Sequence, residues 1–195
     1  MILPIVAYGD PVLRKVAKEI DADYPNLKEL IANMKETMYN ASGVGLAAPQ
    51  IGKDIRLFVI DASPFAEDDD LSEEDRAALK DFNRVFINAE IIEEEGEEWA
   101  FNEGCLSIPD IREDVFRQEE VTFEYLDEKF EKHTNTLNGV AARVFQHEYD
   151  HLEGILFTDK LSSLKKRILK KKLEKISLGK IEADYRMRFP KIKNK

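Results

Sequence analysis

The chain has a single cysteine, Cys105, and no apolar run that approaches the ~18–20 residues needed to span a bilayer. One cysteine excludes an internal disulfide framework and agrees with a reducing compartment. The first residues, Met1–Val6, lack the basic start and long apolar stretch of a signal peptide. These absences predict a cytoplasmic protein with no membrane partner.

Histidine is also scarce, yet two of the three histidines lie four positions apart in Gln146-His147-Glu148-Tyr149-Asp150-His151. Residues four apart share one face of a helix, so His147 and His151 can bind a single metal ion. Glu148 lies beside the first of them, where it can accept a proton. The motif indicates metal-assisted hydrolysis of a carbonyl compound. The alternative is a pair of histidines that are merely packed or solvated on a helix.

The net charge of −10 conceals a segregation of charge. Residues 160–195 contain 14 Lys or Arg and 3 acidic residues, whereas the rest of the chain contains 15 bases and 36 acids. A basic end on an acidic body predicts a polyanionic partner for that end alone. The alternative is a solvated, lysine-rich helix. We expect no binding to DNA.

The length of 195 residues suits one domain. Helical periodicity predicts a helix from Pro25 to Ala41, in which Pro25 suits the first turn, and a second helix that opens at Asn138-Gly139 and stops at Gly154. The predicted strands are Ile55–Asp61, Val85–Ile92, Val121–Leu126 and Ile155–Phe157. This pattern predicts an α+β fold with a mainly antiparallel sheet around the central helix that carries the His-Glu-x-x-His motif.

The chain is expected to divide at residue 160. Residues 1–160 are the predicted catalytic domain, with the acidic stretch 62–84 as a surface insertion. Residues 161–195 are the predicted basic helix and tail, packed on the same domain. The helix should pack through an apolar stripe with its lysines outward. The stripe consists of Leu164, Ile168, Leu169, Leu173 and Ile176.

A catalytic metal requires a third protein ligand and a position open to water. One metalloprotease pattern places a third histidine where this chain has Phe157, which cannot bind a metal. Another takes a glutamate from a later helix, but Glu174 and Glu182 lie in the lysine-rich end. Upstream, Cys105 would complete a Cys-His-His site, although a lone buried cysteine is more often a small hydrophobe. His133 lies in a polar stretch typical of an exposed hairpin and is interpreted as a surface histidine.

Three strings resemble the motifs of the peptide deformylase family, in the family's order and at plausible separations. They are Gly43-Val44-Gly45-Leu46-Ala47-Ala48-Pro49-Gln50, Glu103-Gly104-Cys105-Leu106-Ser107-Ile108-Pro109 and Gln146-His147-Glu148-Tyr149-Asp150-His151. The segment from Tyr8 to Arg14 also resembles that family, and the resemblance covers Ile2 to about Lys175. The chain departs from the family at Asn88-Ala89, where Asn-Pro is frequent, and in the length of residues 62–84. Neither departure touches a matching catalytic position.

The resemblance implies an enzyme that removes the formyl group from the N-terminal formyl-methionine of new bacterial polypeptides. The implied metal ligands are Cys105, His147 and His151. Glu148 is then expected to accept a proton from the attacking water and pass it to the leaving amine. The side-chain amide of Gln50 and the backbone N–H of Leu106 are expected to stabilise the oxyanion.

The same resemblance indicates residues that contact the peptide. Gly43, Val44 and Gly45 are expected to expose an extended edge with which a nascent chain can pair. Arg112 matches a family position near the substrate, where it can hold peptide carbonyls. Arg143 is expected at the rim of the methionine pocket, or alternatively facing outward.

Two other residues of the helical motif have predicted supporting roles. Gln146 orients the motif or is a surface amide. Asp150 pairs with a nearby cation such as Arg117, or is a solvated carboxylate.

The metal and the partners are further expectations. Ligand type alone suggests zinc, whereas the resemblance implies iron(II), with zinc, nickel or cobalt as replacements. Nascent formylated polypeptides are the expected substrates. The basic helix from Leu161 onward is expected to dock on the RNA surface of the ribosome. Two alternatives remain, a general metallopeptidase and an adaptor whose metal site is structural.

Overall fold

A computed structural model describes residues 1–190 and shows an α+β arrangement. Five strands form one antiparallel sheet in the order β2-β3-β4-β5-β6. They are β2 (Gly45–Ala47), β3 (Leu57–Asp61), β4 (Asn83–Cys105), β5 (Ile108–Leu126) and β6 (Lys132–Asn138). A separate parallel pair joins β1 (Ile5–Val6) to β7 (Met187–Arg188). The helices are α1 (Leu27–Asn40), α2 (Glu73–Leu79), α3 (Gly139–Leu152) and α4 (Ser163–Ser177). The predicted fold class is confirmed.

The centre of the sheet is a hairpin of two long strands, β4 and β5, joined by a two-residue turn at Leu106-Ser107. Cys105 pairs with Ile108 immediately before the turn, so the cysteine lies at the tip of the hairpin. Strand β4 is much longer than the predicted Val85–Ile92. Its middle part, residues 93–98, is glutamate-rich and exposed. An antiparallel sheet can leave a face in water, and such a segment has no apolar alternation to mark it as a strand.

Helix α3 packs on this sheet through an aromatic cluster. The Phe145 ring stacks on Phe123 with ring centroids 3.7 Å apart. It also meets Phe58 and Phe86 edge to face, at 5.4 and 5.2 Å. All four side chains are fully buried. The cluster therefore sets the position of the helix that carries both histidines of the motif.

The predicted ends of α3 are confirmed to within two residues. Asn138 precedes the helix in an extended conformation, and the helix ends at Leu152. Gly154 follows with φ +69°, and a Cβ there would lie 2.7 Å from the carbonyl carbon of Arg14. The turn after α3 therefore needs a residue without a side chain.

Two local predictions are corrected. The predicted strand Ile155–Phe157 is wrong, because Phe157 begins a 3₁₀ helix, Phe157–Lys160, that Asp159 caps by accepting a hydrogen bond from Leu156 N at 2.8 Å. A short apolar run cannot by itself distinguish a strand from a helical turn. Helix α1 begins after Asn26, which is left-handed at φ 55°, so Pro25 lies outside the first turn.

The acidic stretch 62–84 is partly exposed and partly buried. Its acidic residues between 67 and 75 are exposed. Leu79 and Phe82 of the same stretch are buried in the main core, and Phe65 lines a cavity of about 650 Å³. The stretch folds into a 3₁₀ helix, Ser63–Glu67, and α2, and β4 already begins at Asn83.

The apolar stripe of α4 is only partly buried. Leu169, Leu173 and Ile176 pack on the body, whereas Leu164 and Ile168 are each 65% exposed. The prediction that all five would pack was wrong, because the two exposed residues lie on a part of the helix surface that does not meet the body. The end of the predicted basic tail, residues 191–195, lies outside the described residues.

Beyond α4 the chain returns to the N-terminal segment, where β7 pairs with β1.

Within residues 1–190, no helix has the length and apolar character required to cross a membrane.

We expect Phe86→Ala to lower the free energy of unfolding by about 3–5 kcal/mol, because it empties the centre of the aromatic cluster. Phe116→Ala is the matched control. Phe116 is 61% exposed, and we expect its loss to change stability by less than about 0.5 kcal/mol. Urea denaturation of both variants measures the difference. Equal destabilisation by the two substitutions would contradict the assigned core.

Candidate metal centre

The hairpin tip and one face of α3 bring together Cys105, His147 and His151. Their candidate ligand atoms all lie within 4.8 Å of one another. Cys105 Sγ is 3.4 Å from His151 Nε2. One sulfur and two imidazole nitrogens at this spacing form a donor set suited to a divalent transition metal.

A buried carboxylate that the sequence interpretation missed, Glu103, orients the first histidine. Glu103 Oε2 lies 2.8 Å from His147 Nδ1. A proton on Nδ1 leaves Nε2 as the nitrogen free for a metal. Glu103 and Cys105 are two residues apart in a strand, which places their side chains on the same face. That spacing was the available signal for Glu103.

Glu103 also accepts hydrogen bonds from two buried arginines. Arg117 donates from Nε to Oε1 at 2.7 Å and from Nη2 to Oε2 at 3.0 Å. Arg143 donates from Nη1 to Oε1 at 3.1 Å. Burial would raise the pKa of Glu103, but the hydrogen bonds from His147 and Arg117 outweigh it and hold that pKa well below its usual range. Glu103 is therefore an anion at neutral pH.

The predicted pair of Asp150 and Arg117 is confirmed. Arg117 Nη1 donates to Asp150 Oδ2 at 2.6 Å, and both side chains are buried. Gln146 is also buried, with Nε2 donating to Glu94 Oε1 at 2.8 Å and to the Gln118 carbonyl at 3.2 Å. The alternatives of a solvated carboxylate and a surface amide are wrong.

The two histidines have opposite electrostatic environments. Burial and the nearby His147 and Arg117 lower the pKa of His151 well below its usual value, so its ring is neutral. Burial lowers the pKa of His147 too, but its hydrogen bonds to Cys105 and Glu103 dominate and raise that pKa well above its usual value. Metal binding at His147 should therefore release a proton.

Glu148 points into the centre without a partner. It is 4% exposed, and its Oε2 is buried with no hydrogen-bond partner within residues 1–190. Burial raises the pKa of Glu148 to about 7. Gly45 of β2 packs against this carboxylate, and a Cβ there would lie 2.6 Å from Glu148 Cδ. A carboxylate in this state can exchange a proton with a reactant.

Gln50 and Leu106 border the same centre. Gln50 Oε1 accepts from Ala47 N at 2.8 Å, which directs its NH₂ group to Cys105 Sγ and Ser107 Oγ, each 3.4 Å away. The backbone N–H of Leu106 has no acceptor within the described part of the chain. Gln50 and Leu106 therefore place an amide NH₂ group and a backbone N–H in the wall of the cavity that Cys105 also lines.

A cavity of about 650 Å³ opens onto these groups. Gly43, Val44 and Gly45 line it, and Gly45 begins β2, an edge strand of the sheet. Arg112 also lines it and is exposed, with Nε donating to Asn102 Oδ1 at 2.9 Å.

Arg143 borders the cavity from within the protein. Its side chain is 1% exposed, so the outward-facing alternative is wrong. Its guanidinium donates to the carbonyls of Val115 and Trp99, each at 2.7 Å, in addition to Glu103. His133, which was interpreted from the sequence as a surface histidine of a hairpin, lies on the β5–β6 hairpin outside the centre and hydrogen-bonds Asp127 at 2.9 Å.

Comparisons with known proteins agree on one family. The model of the polypeptide deformylase family matches residues 2–167. The peptide deformylase of Christiangramia forsetii is 67% identical over 193 residues, covering 99% of this chain and 98% of the relative. That of Flavobacterium psychrophilum is 64% identical over 97% of each chain. The crystal structure of a peptide deformylase from Legionella pneumophila has a TM-score of 0.77 and 39% identity, covering 92% of this chain and 98% of that one.

We expect Glu103→Gln to weaken metal binding by about 10–100-fold, because the amide no longer holds His147 in the metal-binding tautomer. The free energy of unfolding should also fall, by up to about 3–5 kcal/mol, because two buried guanidinium groups lose their anion. Competition with a chelator for zinc measures the affinity, and urea denaturation measures the stability.

Glu95→Gln is the control, since Glu95 is an exposed residue of the same strand. An unchanged zinc affinity in Glu103→Gln would remove the assigned role of Glu103.

Proposed function

The chain belongs to the polypeptide deformylase family, whose members remove the N-formyl group from nascent peptides, and we propose that it does so by metal-dependent hydrolysis. One observation carries this proposal. The Cys105, His147 and His151 donor atoms converge beside the buried Glu148 carboxylate, whose Oε2 has no hydrogen-bond partner within residues 1–190, and Cys105, His147 and Glu148 line a cavity of about 650 Å³.

The donor set fits a divalent ion. When bound, such an ion acts as a Lewis acid and lowers the pKa of water toward neutrality. We propose iron(II) from the family resemblance, with zinc, nickel or cobalt as replacements. Three protein ligands leave the fourth position open, which distinguishes a catalytic site from a closed structural one.

Glu148 is the proposed general base. It takes the proton from the water that attacks the formyl carbon and then gives that proton to the leaving amine, so that formate and a free N-terminus result. Its pKa of about 7 suits both transfers near neutral pH. Gly45 leaves the space in which this carboxylate sits.

Gln50 and Leu106 are the proposed oxyanion donors. The bond from Ala47 N to Gln50 Oε1 prevents the amide from presenting its oxygen to the negative charge. Leu106 follows the ligand Cys105 directly, so its N–H is held close to the reacting carbonyl. Such prealigned donors stabilise charge that develops only in the transition state.

We propose that the peptide binds along the β2 edge. Gly43 N and Val44 O already bond to Met38 and Asp61, so the proposed pairing with an extended chain uses the remaining backbone groups of this edge, as in strand addition. Arg112, exposed at the cavity, is the proposed contact for peptide carbonyls. Arg143 forms part of the pocket wall, and its guanidinium already donates hydrogen bonds to Glu103 and to two backbone carbonyls.

The proposed setting is the bacterial cytoplasm, where nascent formylated chains leave the ribosome. The outward face of α4 is strongly basic, and we propose that it docks on ribosomal RNA. Its exposed cations are Lys166, Arg167, Lys170, Lys171, Lys172 and Lys175.

Formate release from a formyl-Met tripeptide tests the function. The protein is purified without oxygen and supplied with iron(II) or nickel(II), and the unblocked tripeptide and an unfolded protein serve as protease substrates. Formate without peptide-bond cleavage is the expected result. Cleavage without formate would identify a metallopeptidase instead, and the absence of both would favour an adaptor.

We expect Glu148→Ala to lower kcat by roughly 10²–10⁴-fold, the usual contribution of a positioned general base. The variant should retain its metal, since Glu148 is not a proposed ligand. Metal analysis alongside the formate assay checks both statements, with the exposed Glu128→Ala as control. Loss of the metal in Glu148→Ala would show that the role is wrongly assigned.

Binding to ribosomes should weaken steeply as salt rises, because cations of α4 replace counterions on RNA. Sedimentation with ribosomes between about 50 and 200 mM salt measures this dependence. Lys170→Glu combined with Lys171→Glu should reduce binding, whereas Lys53→Glu, an exposed lysine outside α4, should not. Binding that does not depend on salt would refute the proposal.

A further inference from the structure

The C-terminal segment forms part of the cavity wall. After α4 the chain turns back, and residues 182–185 line the cavity that contains the metal centre. There the Tyr185 hydroxyl donates to the carbonyl oxygen of Leu106 at 2.8 Å. The two residues are 79 positions apart, so only tertiary folding brings them into contact.

The position of Tyr185 is well defined by its surroundings. The next residues pair with the N-terminal strand, with Ile5 N donating to the Arg186 carbonyl and Ala7 N to the Arg188 carbonyl, each at 2.9 Å. The Tyr185 ring and the Leu106 side chain both pack against the same hydrophobic cluster. Burial raises the pKa of Tyr185 well above its usual value. The hydroxyl therefore keeps its proton and remains a donor.

The turn that contains Leu106 is held from two sides. Tyr8 N donates to the Ser107 carbonyl at 2.8 Å, while Tyr185 donates to the Leu106 carbonyl. Both carbonyls of this two-residue turn are thus restrained by segments from the opposite ends of the chain. The N–H of Leu106 has no acceptor among residues 1–190. Its direction is set by the pairing of Cys105 with Ile108 on either side of the turn together with these two hydrogen bonds.

We propose that Tyr185 is a positioning residue for deformylation, which holds Leu106 so that its N–H meets the developing oxyanion. The inference rests on the function proposed above. The family model ends at residue 167, so this restraint comes from a part of the chain beyond the matched region. The C-terminal segment thereby contributes to the reaction through Leu106 without touching the substrate atoms that react.

Tyr185→Phe tests the inference because it removes the hydroxyl and retains the ring. We expect kcat to fall by roughly threefold to tenfold, the effect of one neutral hydrogen bond. KM should stay within about twofold, because the oxyanion exists only in the transition state. Tyr39→Phe is the matched control, since it removes the hydrogen bond from Tyr39 to Asp61 at 2.6 Å, away from Leu106. It should leave kcat unchanged.

A second measurement does not depend on turnover. In the zinc-loaded protein, the backbone order parameter of the Leu106 amide should be that of rigid backbone, about 0.85. It should fall in Tyr185→Phe and stay unchanged in Tyr39→Phe.

The outcomes separate the two proposals. If the parent enzyme is active and Tyr185→Phe changes neither kcat nor the Leu106 order parameter, the positioning role is overturned. A rise in KM at constant kcat would also overturn it, because it would make Tyr185 a substrate contact. A parent enzyme that releases no formate would instead defeat the proposed function itself.

Discussion

The buried carboxylate of Glu103 is the interaction on which the metal centre depends. It accepts hydrogen bonds from Arg117 and Arg143 and lies 2.8 Å from His147 Nδ1. These contacts join β4, β5 and α3 at one point. A lone anion in such a site would be costly, and it is tolerated because donors surround it. The same carboxylate that joins the hairpin to the helix also selects the nitrogen with which His147 can bind a metal.

The centre contains a second buried carboxylate with the opposite character. Hydrogen bonds from His147 and Arg117 keep Glu103 charged. Glu148 has a buried oxygen without a hydrogen-bond partner in the part of the chain that the structure describes, and burial raises the pKa of Glu148 to about 7. Environment alone separates the two roles, since the side chains are chemically identical. A permanently charged group suits the orientation of a ligand. A group that gains and loses a proton near neutrality suits acid–base chemistry.

Both ends of the chain support the turn that follows Cys105. Tyr8 holds Ser107, Tyr185 holds Leu106, and the short β1–β7 pair joins the two end segments to each other. The C-terminal region therefore has two surfaces with different chemistry. The outward face of α4 is basic and exposed, and the segment after it closes one side of the cavity. A single segment thus links a proposed docking surface to the turn that contains the proposed oxyanion donor.

The sequence by itself determined the features that depend on near neighbours. The spacing of His147 and His151 places them on one face of a helix, and the string around Cys105 indicated a third candidate ligand, so the fold class and the candidate ligand set could be predicted. Tertiary structure alone decided the contacts between distant segments, such as Tyr185 with Leu106 and Arg143 with Glu103. It also decided that Leu164 stays exposed and that β4 continues through an exposed, glutamate-rich stretch. Periodicity records which side chains share a face, but only packing determines what that face meets.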